Sequence, residues 1–421
     1  MKAPPGPRGH WLLGSLPERR HDALGFYERI HREYGDVVGF RLGTVPVVML
    51  CHPDHVKHVL IDHADRYGKG GMPARLRPVL GNGLLTSEGE FWLRQRRLMQ
   101  PAFHRESLAR LAGLIGRCVE VHLARTNEGE VDIAEEMLDL TLAVASKALF
   151  GADLGEMAAD VGPALEVALA ESNRRLLALF DVPLAIPTPA NLRLRRAIGA
   201  LDRVVFEIIE QRRTGRSSGT DLLTLLIEAR DEKTGAAMDD RQLRDEVMTL
   251  FLAGHETTAS ALAWLCHLLA WHPDEQEWMR AGGEARCQMA LQEAMRLYPP
   301  AWGIPRSARV DDEIGGYAVR KGTLVFVSTW VVHRHPAFWP EPEKFDPDRF
   351  AEKPPRHAYI PFGAGQRTCI GGSFAMMESL IAISGLLKRF RIHAVPGRAP
   401  QPLPLVVLRA KDGIRVRLTR S

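Results

Sequence analysis

The chain has 421 residues, of which 45% are hydrophobic and 25% are charged, a composition typical of a soluble globular protein with a large core. Its 55 basic and 51 acidic residues leave a net charge of +4, which is too small to indicate a nucleic-acid-binding protein. No apolar run reaches the ~18 residues that a membrane span needs, and the Pro-rich start is neither a signal peptide nor a transmembrane anchor.

The five cysteines are scattered and have no CxxC spacing, which indicates a reducing setting without a disulfide framework. We therefore expect a cytoplasmic protein. No linker, internal repeat or low-complexity tract divides the sequence. We expect a single domain over residues 1–421 that acts as a monomer.

The first part of the chain predicts short helices and strands. A helix is predicted at about residues 21–34, and alternating apolar residues at 37–42 and 47–50 predict a β-hairpin. Pro53 begins a short helix that is predicted to run through residue 61. Residues 70–86 contain too many glycines and prolines for regular structure.

The middle of the chain is predicted to be helical from residue 87 to about 232, with a break at 183–189. Asp239-Asp240 then begin a long helix that ends near Trp271, and at ~1.5 Å per residue this helix spans close to 50 Å. Short strands are predicted further on, at residues 317–319, 324–329 and 414–418. The expected fold class is therefore mainly α with small β-sheets (α+β).

One loop near the C-terminus concentrates groups suited to a cofactor. Cys369 precedes a helical pattern, so its sulfur would lie at a helix N-terminus, where free N–H groups and the helix dipole stabilise a thiolate. Arg367 supplies a cation and Phe362 a flat apolar surface. Gly363 and Gly365 allow the backbone to approach a large group closely. Haem with an axial cysteine suits this combination.

The run from Phe362 to Gly371 resembles the haem-binding signature of the cytochrome P450 family, F-x-x-G-x-R-x-C-x-G, and matches it at every fixed position. A structural cysteine beside a glycine turn would not need the other fixed positions. A dinucleotide-binding fingerprint at Gly363 fails because its third glycine is Thr368. The resemblance implies the P450 fold, with haem b between the long helix and the Cys369 helix. It implies that Cys369 is the iron ligand and that the cofactor also contacts Phe362, Gly365, Arg367, Ile370 and Gly371.

The middle of the long helix carries a second motif, Ala253-Gly254-His255-Glu256-Thr257-Thr258. Glycine and threonine are unfavourable inside a helix, and a threonine hydroxyl can bond to the carbonyl four residues earlier and bend it. The stretch resembles the family's oxygen-binding motif, A/G-G-x-D/E-T-T. The resemblance implies that Thr257 hydrogen-bonds dioxygen, that Glu256 relays protons through water and that Ala253 contacts the cofactor. The structural alternative is a helix kink with a solvated glutamate.

Glu293 and Arg296 lie three residues apart, on one face of a predicted helix. Such a pair is usually a surface ion pair of little consequence. Here it resembles the family's E-x-x-R motif, and Arg349 matches the arginine that completes it. The resemblance implies a structural network that holds the Cys369 loop.

Several cations are candidates for the haem propionates. Trp92 and Arg96 match the family's W-x-x-x-R, Arg306 lies where many bacterial members have a propionate arginine, and Lys69 is a further candidate. For each the structural alternative is an ordinary surface charge. A basic patch for an acidic electron donor is predicted from Arg94, Arg97, Lys388 and Arg389.

The resemblance implies a monooxygenase that uses dioxygen and takes electrons from a separate donor, a ferredoxin or flavodoxin with its reductase. Substrate contacts are expected from apolar residues in the loops that face the haem: Met72, Leu76, residues 176–180, Trp302, Ile304 and Leu405. Their character favours a hydrophobic small molecule such as a fatty acid, terpenoid or carotenoid, which would be hydroxylated at a C–H bond or epoxidised.

Two other functions stay open on the same fold. A peroxygenase or isomerase would not need Glu256 and Thr257, and a haem sensor would not need a substrate cavity. The sequence departs from the family between Pro273 and Glu293, where the link is shorter than in most members. This is either a deletion or a missing segment, and it leaves the residues of the cofactor motif in place.

Overall fold

The computed structural model describes residues 2–151, 158–177, 182–214, 221–397 and 399–421. Within these ranges the chain forms fifteen α-helices and twelve short strands, which is the mainly α architecture with small sheets that the sequence predicts. The helices are α1 (Leu16–His21), α2 (Ala23–Tyr34), α3 (Pro53–Lys57), α4 (Gly71–Ala74), α5 (Arg77–Leu80), α6 (Gly89–Met99), α7 (Arg105–Arg125), α8 (Ile133–Phe150), α9 (Ala158–Leu177), α10 (Pro189–Arg213), α11 (Leu222–Glu228), α12 (Asp240–Ala270), α13 (Pro273–Leu297), α14 (Thr329–Val332) and α15 (Gly372–Arg389). The strands are β1 (Val37–Leu42), β2 (Val45–Leu50), β3 (Tyr67–Gly68), β4 (Gly129–Asp132), β5 (Ile304–Ala308), β6 (Asp312–Ile314), β7 (Tyr317–Val319), β8 (Leu324–Val327), β9 (Phe390–Ala394), β10 (Pro402–Pro404), β11 (Leu408–Ala410) and β12 (Arg415–Arg420).

Helix α12 is the central element of the helical region. Its start is fixed by a capping box, in which the Asp239 side chain accepts the Gln242 N–H at 2.8 Å and the Gln242 side chain accepts the Asp239 N–H at 3.2 Å. Most of its side chains are buried, and it packs against α8, α13 and α15. Ala253, Gly254 and Thr257 are exceptions near its middle, since Ala253 is exposed and the other two are half-buried.

The largest sheet has five strands in the order β1-β2-β8-β5-β3. Strands β2 and β8 are parallel, and the other neighbouring pairs are antiparallel. Gly68 of β3 pairs with Ser307 of β5. This register brings Lys69 and Arg306, which follow and precede the paired residues, to the same end of the sheet.

Helix α13 contains the shortened link. Its residues are helical except Gly283, whose φ of 61° and ψ of −145° mark a kink between two helical segments. A positive φ of this kind is readily adopted by glycine and rarely by other residues. The second segment carries Glu293 and Arg296 into the core, where both side chains are fully buried.

Some element boundaries differ from the sequence-based prediction. The helix predicted at about 21–34 is α2, and the additional helix α1 precedes it. Short helices α4 and α5 lie in the stretch predicted to be irregular, and residues 58–62 form a π-helical turn after α3. Strand β4 lies inside the stretch predicted to be helical and pairs with β12, with Glu130 opposite Arg417. Among the described residues, no helix combines the length and the apolar character that crossing a membrane requires.

Candidate active site

The loop that carries Cys369 is shaped by hydrogen bonds to one carbonyl group. The Cys369 N–H donates to the Phe362 carbonyl at 2.8 Å, and the Thr368 hydroxyl donates to the same oxygen at 3.2 Å. Gly365 has a φ of +71°, and a Cβ added there would lie 2.0 Å from the Leu60 carbonyl oxygen, so a side chain does not fit. The loop therefore closes tightly and holds Cys369 just ahead of α15.

The Cys369 side chain borders open space. It is exposed, whereas the other four cysteines are buried. Protein atoms still enclose the sulfur on its other sides, and this burial raises the pKa of the thiol, while the Gly371 N–H and the Arg96 cation oppose the rise. The direction of this pKa shift is opposite to the one predicted from the position of Cys369 at a helix N-terminus. A coordinated metal would supply the positive charge that a thiolate needs at this position.

The middle of α12 also borders open space. Ala253 is exposed, and a Cβ added at Gly254 would meet no atom within 4 Å. The Thr257 hydroxyl donates to the Ala253 carbonyl at 2.7 Å, and the Thr258 hydroxyl donates to the Gly254 carbonyl at 2.9 Å. Both threonines thus make the bond to the carbonyl four residues earlier that the sequence suggests.

The Glu256 side chain, in contrast, is only 2% exposed. Its Oε1 accepts a hydrogen bond from Nε of Arg409 on β11. The alternative of a solvated glutamate is therefore wrong, because this carboxylate is buried and paired. Sequence reasoning missed Arg409, which lies 153 positions away in a strand too short to carry a motif.

Two cations lie over the ring of Trp92. The Lys69 Nζ is 5.7 Å and the Arg367 Cζ is 5.3 Å from the ring centroid. Glu88, which the sequence did not single out, pairs with Arg367 at 3.4 Å and with Arg309 at 2.8 Å. It also accepts the Lys69 backbone N–H.

Positive charge exceeds negative charge in this cluster. Arg306 donates to the Pro305 carbonyl at 2.9 Å, and among the described residues no carboxylate forms an ion pair with it. Burial, reinforced by the charge of Arg367, lowers the pKa of Lys69 to about 7 and that of Arg306 to about 10. Negative charge stabilises such a desolvated set of cations. The two propionates of a haem would supply that charge.

Arg96 connects α6 to the cysteine loop. Its Nη1 donates to the Thr368 carbonyl at 2.9 Å, next to Cys369. Burial lowers the pKa of Arg96, and the Cys369 charge opposes this shift. Phe362 and Ile370 are half-buried and pack on the main core, so the loop has apolar surface beside its cations. The open cysteine, the apolar surface and the cation cluster together fit a haem.

The E-x-x-R residues form a buried network. Arg296 donates to the two Glu293 oxygens at 2.7 and 2.8 Å, and the Arg349 Nε lies 3.4 Å from Glu293. Arg296 also donates to the His333 carbonyl at 2.9 Å. The His333 ring accepts the Ile360 N–H at 2.8 Å, which links the network to the start of the cysteine loop.

The expected substrate residues have different surroundings. Trp302 lies in an aromatic cluster with Tyr27 and Phe326, at centroid distances of 6.0 and 5.6 Å, and donates to the Leu405 carbonyl at 2.8 Å. These contacts favour a packing role for Trp302. Ile304 approaches the cysteine loop, with its Cδ1 3.7 Å from a Cβ built on Gly363.

The remaining members of this set are only partly described. Leu76 is 9% exposed, and Leu405 is half-buried. The side chain of Met72 and residues 178–180 lie outside the described part of the chain.

Two members of the predicted basic patch are used inside the molecule. Arg94 donates to the Ala237 carbonyl at 3.0 Å, and Arg97 pairs with the buried Asp231 at 3.0 Å. Both contacts tie α6 to the segment before α12. Arg94 and Arg97 are therefore less available to an electron donor than the sequence predicts.

Comparisons with known proteins identify the family of this chain. The family profile described as Cytochrome P450 matches residues 4–282 and 286–417, and the gap falls at the α13 kink. Cyclooctatin synthase of Streptomyces melanosporofaciens is 36% identical over 401 residues, covering 90% of this chain and 87% of that protein. Cyclooctat-9-en-7-ol 5-monooxygenase of the same organism is 34% identical over 386 residues, covering 86% and 84%. The solved structure of a retinoic acid-bound cyanobacterial CYP120A1 has a TM-score of 0.88 at 27% identity and covers all of both chains. The chain belongs to the cytochrome P450 family of haem-thiolate monooxygenases.

Proposed function

We propose that this chain binds haem b and oxidises a terpenoid-like hydrophobic molecule with dioxygen, using electrons from a separate ferredoxin or flavodoxin and its reductase. The observation that carries the proposal is the exposed side chain of Cys369, two residues from Arg367, which belongs to the desolvated cation cluster. Two relatives named for cyclooctatin chemistry support the terpenoid class. A reducing, cytoplasmic setting is part of the proposal.

The haem is held by the Cys369 thiolate, beside the apolar surfaces of Phe362 and Ile370. Gly365 and Gly371 keep the backbone close to the cofactor. The propionates are neutralised by Lys69 and Arg367, which lie over the Trp92 ring, together with Arg96 and Arg306. A haem iron with a thiolate ligand supplies dioxygen binding and O–O cleavage.

Thr257 and Glu256 handle protons on the α12 side. The Thr257 hydroxyl donates its proton to the Ala253 carbonyl, so in this rotamer its oxygen can only accept hydrogen bonds from groups in the open space. Rotation of the hydroxyl would let it donate to those groups instead. Glu256, the residue before Thr257, is a carboxylate that can take protons from water and pass them on.

Substrate specificity depends on apolar contacts. Leu76, Ile304 and Leu405 offer alkyl surface, and apolar walls with few polar groups bind a hydrophobic skeleton by excluding water. Trp302 supports Leu405 through its indole hydrogen bond.

The experiment that tests this function begins with the carbon monoxide difference spectrum of the reduced protein. We expect a thiolate-type Soret band. We then expect spectral shifts with added terpenoids, and product formation with a surrogate ferredoxin and reductase. Turnover with hydrogen peroxide but not with reductase would favour a peroxygenase. A thiolate band without any substrate-induced shift would favour a sensor.

Changing Thr257 to alanine is expected to divert electrons from product to hydrogen peroxide. We expect the ratio of peroxide to product to rise at least about tenfold, because a positioned proton donor contributes ~10²–10⁴ in rate. The measurement is peroxide and product per NADPH consumed.

The matched control is Thr258→Ala. It removes the same type of hydroxyl-to-carbonyl bond from a neighbouring residue that is buried. If both variants give the same ratio of peroxide to product, the proposed role of Thr257 in proton delivery is refuted.

We expect haem affinity to depend on pH through the ionisation of Lys69. Its pKa is about 7 before propionates are present, and two carboxylates beside it would raise that pKa. Through Lys69, haem binding then takes up a proton above about pH 7, and this uptake lowers haem affinity by up to about tenfold per pH unit relative to a protein without the lysine. The measurement is the rate and extent of haem transfer to an acceptor protein across that range.

In Lys69→Gln this contribution should disappear, so the affinity of the variant should change more positively with pH than that of the native protein. Lys57→Gln, which alters an exposed lysine paired with Asp62 at 2.8 Å, should keep the native pH dependence. The thiol ionises equally in all three proteins, so the difference between their slopes isolates Lys69. Parallel slopes for the native protein and Lys69→Gln would remove Lys69 from the propionate site.

A further inference from the structure

Three side chains that can bind a metal ion lie together outside the haem site. They are His31 of α2, Asp36 just before β1 and His335 just after α14. One ring nitrogen of each histidine and one oxygen of Asp36 all lie within 4.8 Å of one another. The proposed monooxygenase mechanism gives none of these residues a role, so their convergence needs a separate explanation.

Both histidines face the same oxygen atom. Nε2 of His31 and Nε2 of His335 each lie 3.0 Å from Oδ1 of Asp36, and the centroids of the two rings are 5.1 Å apart. In a tetrahedral zinc site with ligand bonds of about 2.0–2.1 Å, neighbouring ligand atoms are about 3.3 Å apart. The two nitrogen–oxygen distances are close to that value, so an ion fits once the rings move slightly towards each other.

The three ligand groups are accessible from solvent. The side chains of His31, Asp36 and His335 are 17%, 32% and 10% exposed, so an ion can reach them without unfolding of the chain. Within the part of the chain that the structure describes, no protein group donates a hydrogen bond to the second oxygen of Asp36. That oxygen and a water molecule are therefore available to complete the coordination of an ion.

The residues next to His335 are engaged elsewhere. Arg334 pairs with Glu343 at 3.1 Å. Its Cζ lies 3.5 Å from the centroid of the Trp330 ring, so its positive charge already has partners of its own. His333, which a His-x-His spacing would suggest as a second ligand, bonds instead to the backbone of the segment that leads into the cysteine loop. The structure thus selects His335, and not His333, as the ligand from this segment.

One hydrogen bond is lost when an ion binds. The Ala337 N–H donates to Nδ1 of His335 at 3.2 Å, which places the proton of a neutral ring on Nε2. An ion bound at Nε2 takes the place of that proton, which then moves to Nδ1. The bond from Ala337 is thus exchanged for a metal–nitrogen bond, which favours an ion that binds imidazole strongly.

We propose that His31, Asp36 and His335 form a zinc-binding site that is separate from the haem. Two imidazole nitrogens and one carboxylate suit zinc, whereas magnesium prefers a shell of oxygen ligands. The ion joins the end of α2, the residue before β1 and the segment after α14. Its role is structural, and the inference does not depend on the proposed reaction.

The test measures zinc binding to haem-loaded protein that has been treated with a chelator, by competition with a chromophoric zinc indicator. In this protein Cys369 is occupied by the haem iron and the other four cysteines are buried, so thiols do not compete for zinc. We expect one zinc ion per chain. We also expect zinc, but not magnesium, to raise the midpoint of thermal unfolding, because a ligand that binds the folded state stabilises it.

His31→Gln and Asp36→Asn test the ligands at partly exposed positions. Each should bind zinc at least about tenfold more weakly, since loss of even an outer-shell partner costs ~10–100-fold in metal affinity. The matched control is His21→Gln, which changes an exposed histidine at the end of α1 and should bind zinc like the native protein. An intact carbon monoxide spectrum verifies that each variant is folded around its haem.

X-ray absorption at the zinc edge gives a second readout that requires no variant. We expect scattering from two imidazole rings in the zinc-loaded native protein. A zinc spectrum without imidazole scattering would overturn the inference. So would zinc binding of equal strength in the native protein, His31→Gln and Asp36→Asn, because the ion would then be adventitious.

Discussion

Replacing Cys369 with alanine should eliminate the thiolate-type carbon monoxide spectrum completely. Cys369 is exposed, whereas the other cysteines lie buried elsewhere in the core, so no second thiol can take its place. Alanine leaves the loop backbone unchanged, because the Cys369 N–H bond to the Phe362 carbonyl does not involve the side chain. The measurement is the difference spectrum together with the haem content per chain.

Cys266→Ala is the matched control for this experiment. Cys266 is fully buried in α12, and burial raises the pKa of its thiol to about 12, so it is no candidate for a thiolate. We expect Cys266→Ala to retain the native spectrum with some loss of stability from the smaller side chain. A normal thiolate-type band in Cys369→Ala would refute the ligand assignment.

The sequence predicted those helices whose ends are determined by residues close to them in the chain. The start of α12 follows from Asp239 and Gln242, which cap each other, and its end follows from Pro273 just beyond it. Strand β4 was missed because its short sequence is stabilised by β12, at the opposite end of the chain. Pairing between distant segments leaves no periodic pattern for local reasoning to detect.

The same limit applies to the site. Cys369 and Arg367 belong to one short motif, so spacing identified them. Glu88 and Arg409 became visible only through their ion pairs with residues far along the chain.

The pKa shift of Cys369 also differs in direction from the prediction, because burial of the thiol raises the pKa more than the Gly371 N–H and Arg96 lower it. The degree of burial is a tertiary property. A helix N-terminus recognised in the sequence cannot supply it.

Changing Arg296 to methionine is expected to lower the free energy of unfolding by about 3–5 kcal/mol, since one partner of a buried ion pair is removed. Arg296 and Glu293 are both 0% exposed. Besides Glu293, the Arg296 guanidinium serves the carbonyls of His333, Pro342 and Lys344, which all lose a donor. Chemical denaturation of the haem-loaded protein measures the change.

The control is Arg417→Met, which removes one partner of a cross-strand pair with Glu130 whose side chains are 56% and 50% exposed. An exposed pair of this kind contributes about 0.2–1 kcal/mol. Arg349→Gln should have an intermediate effect, because Arg349 lies 3.4 Å from Glu293 and is itself 11% exposed. Since the His333 ring bonds to the N–H of Ile360, we also expect haem to dissociate faster from Arg296→Met than from Arg417→Met. Equal stability and equal haem loss in those two variants would show that the network does not support the cysteine loop.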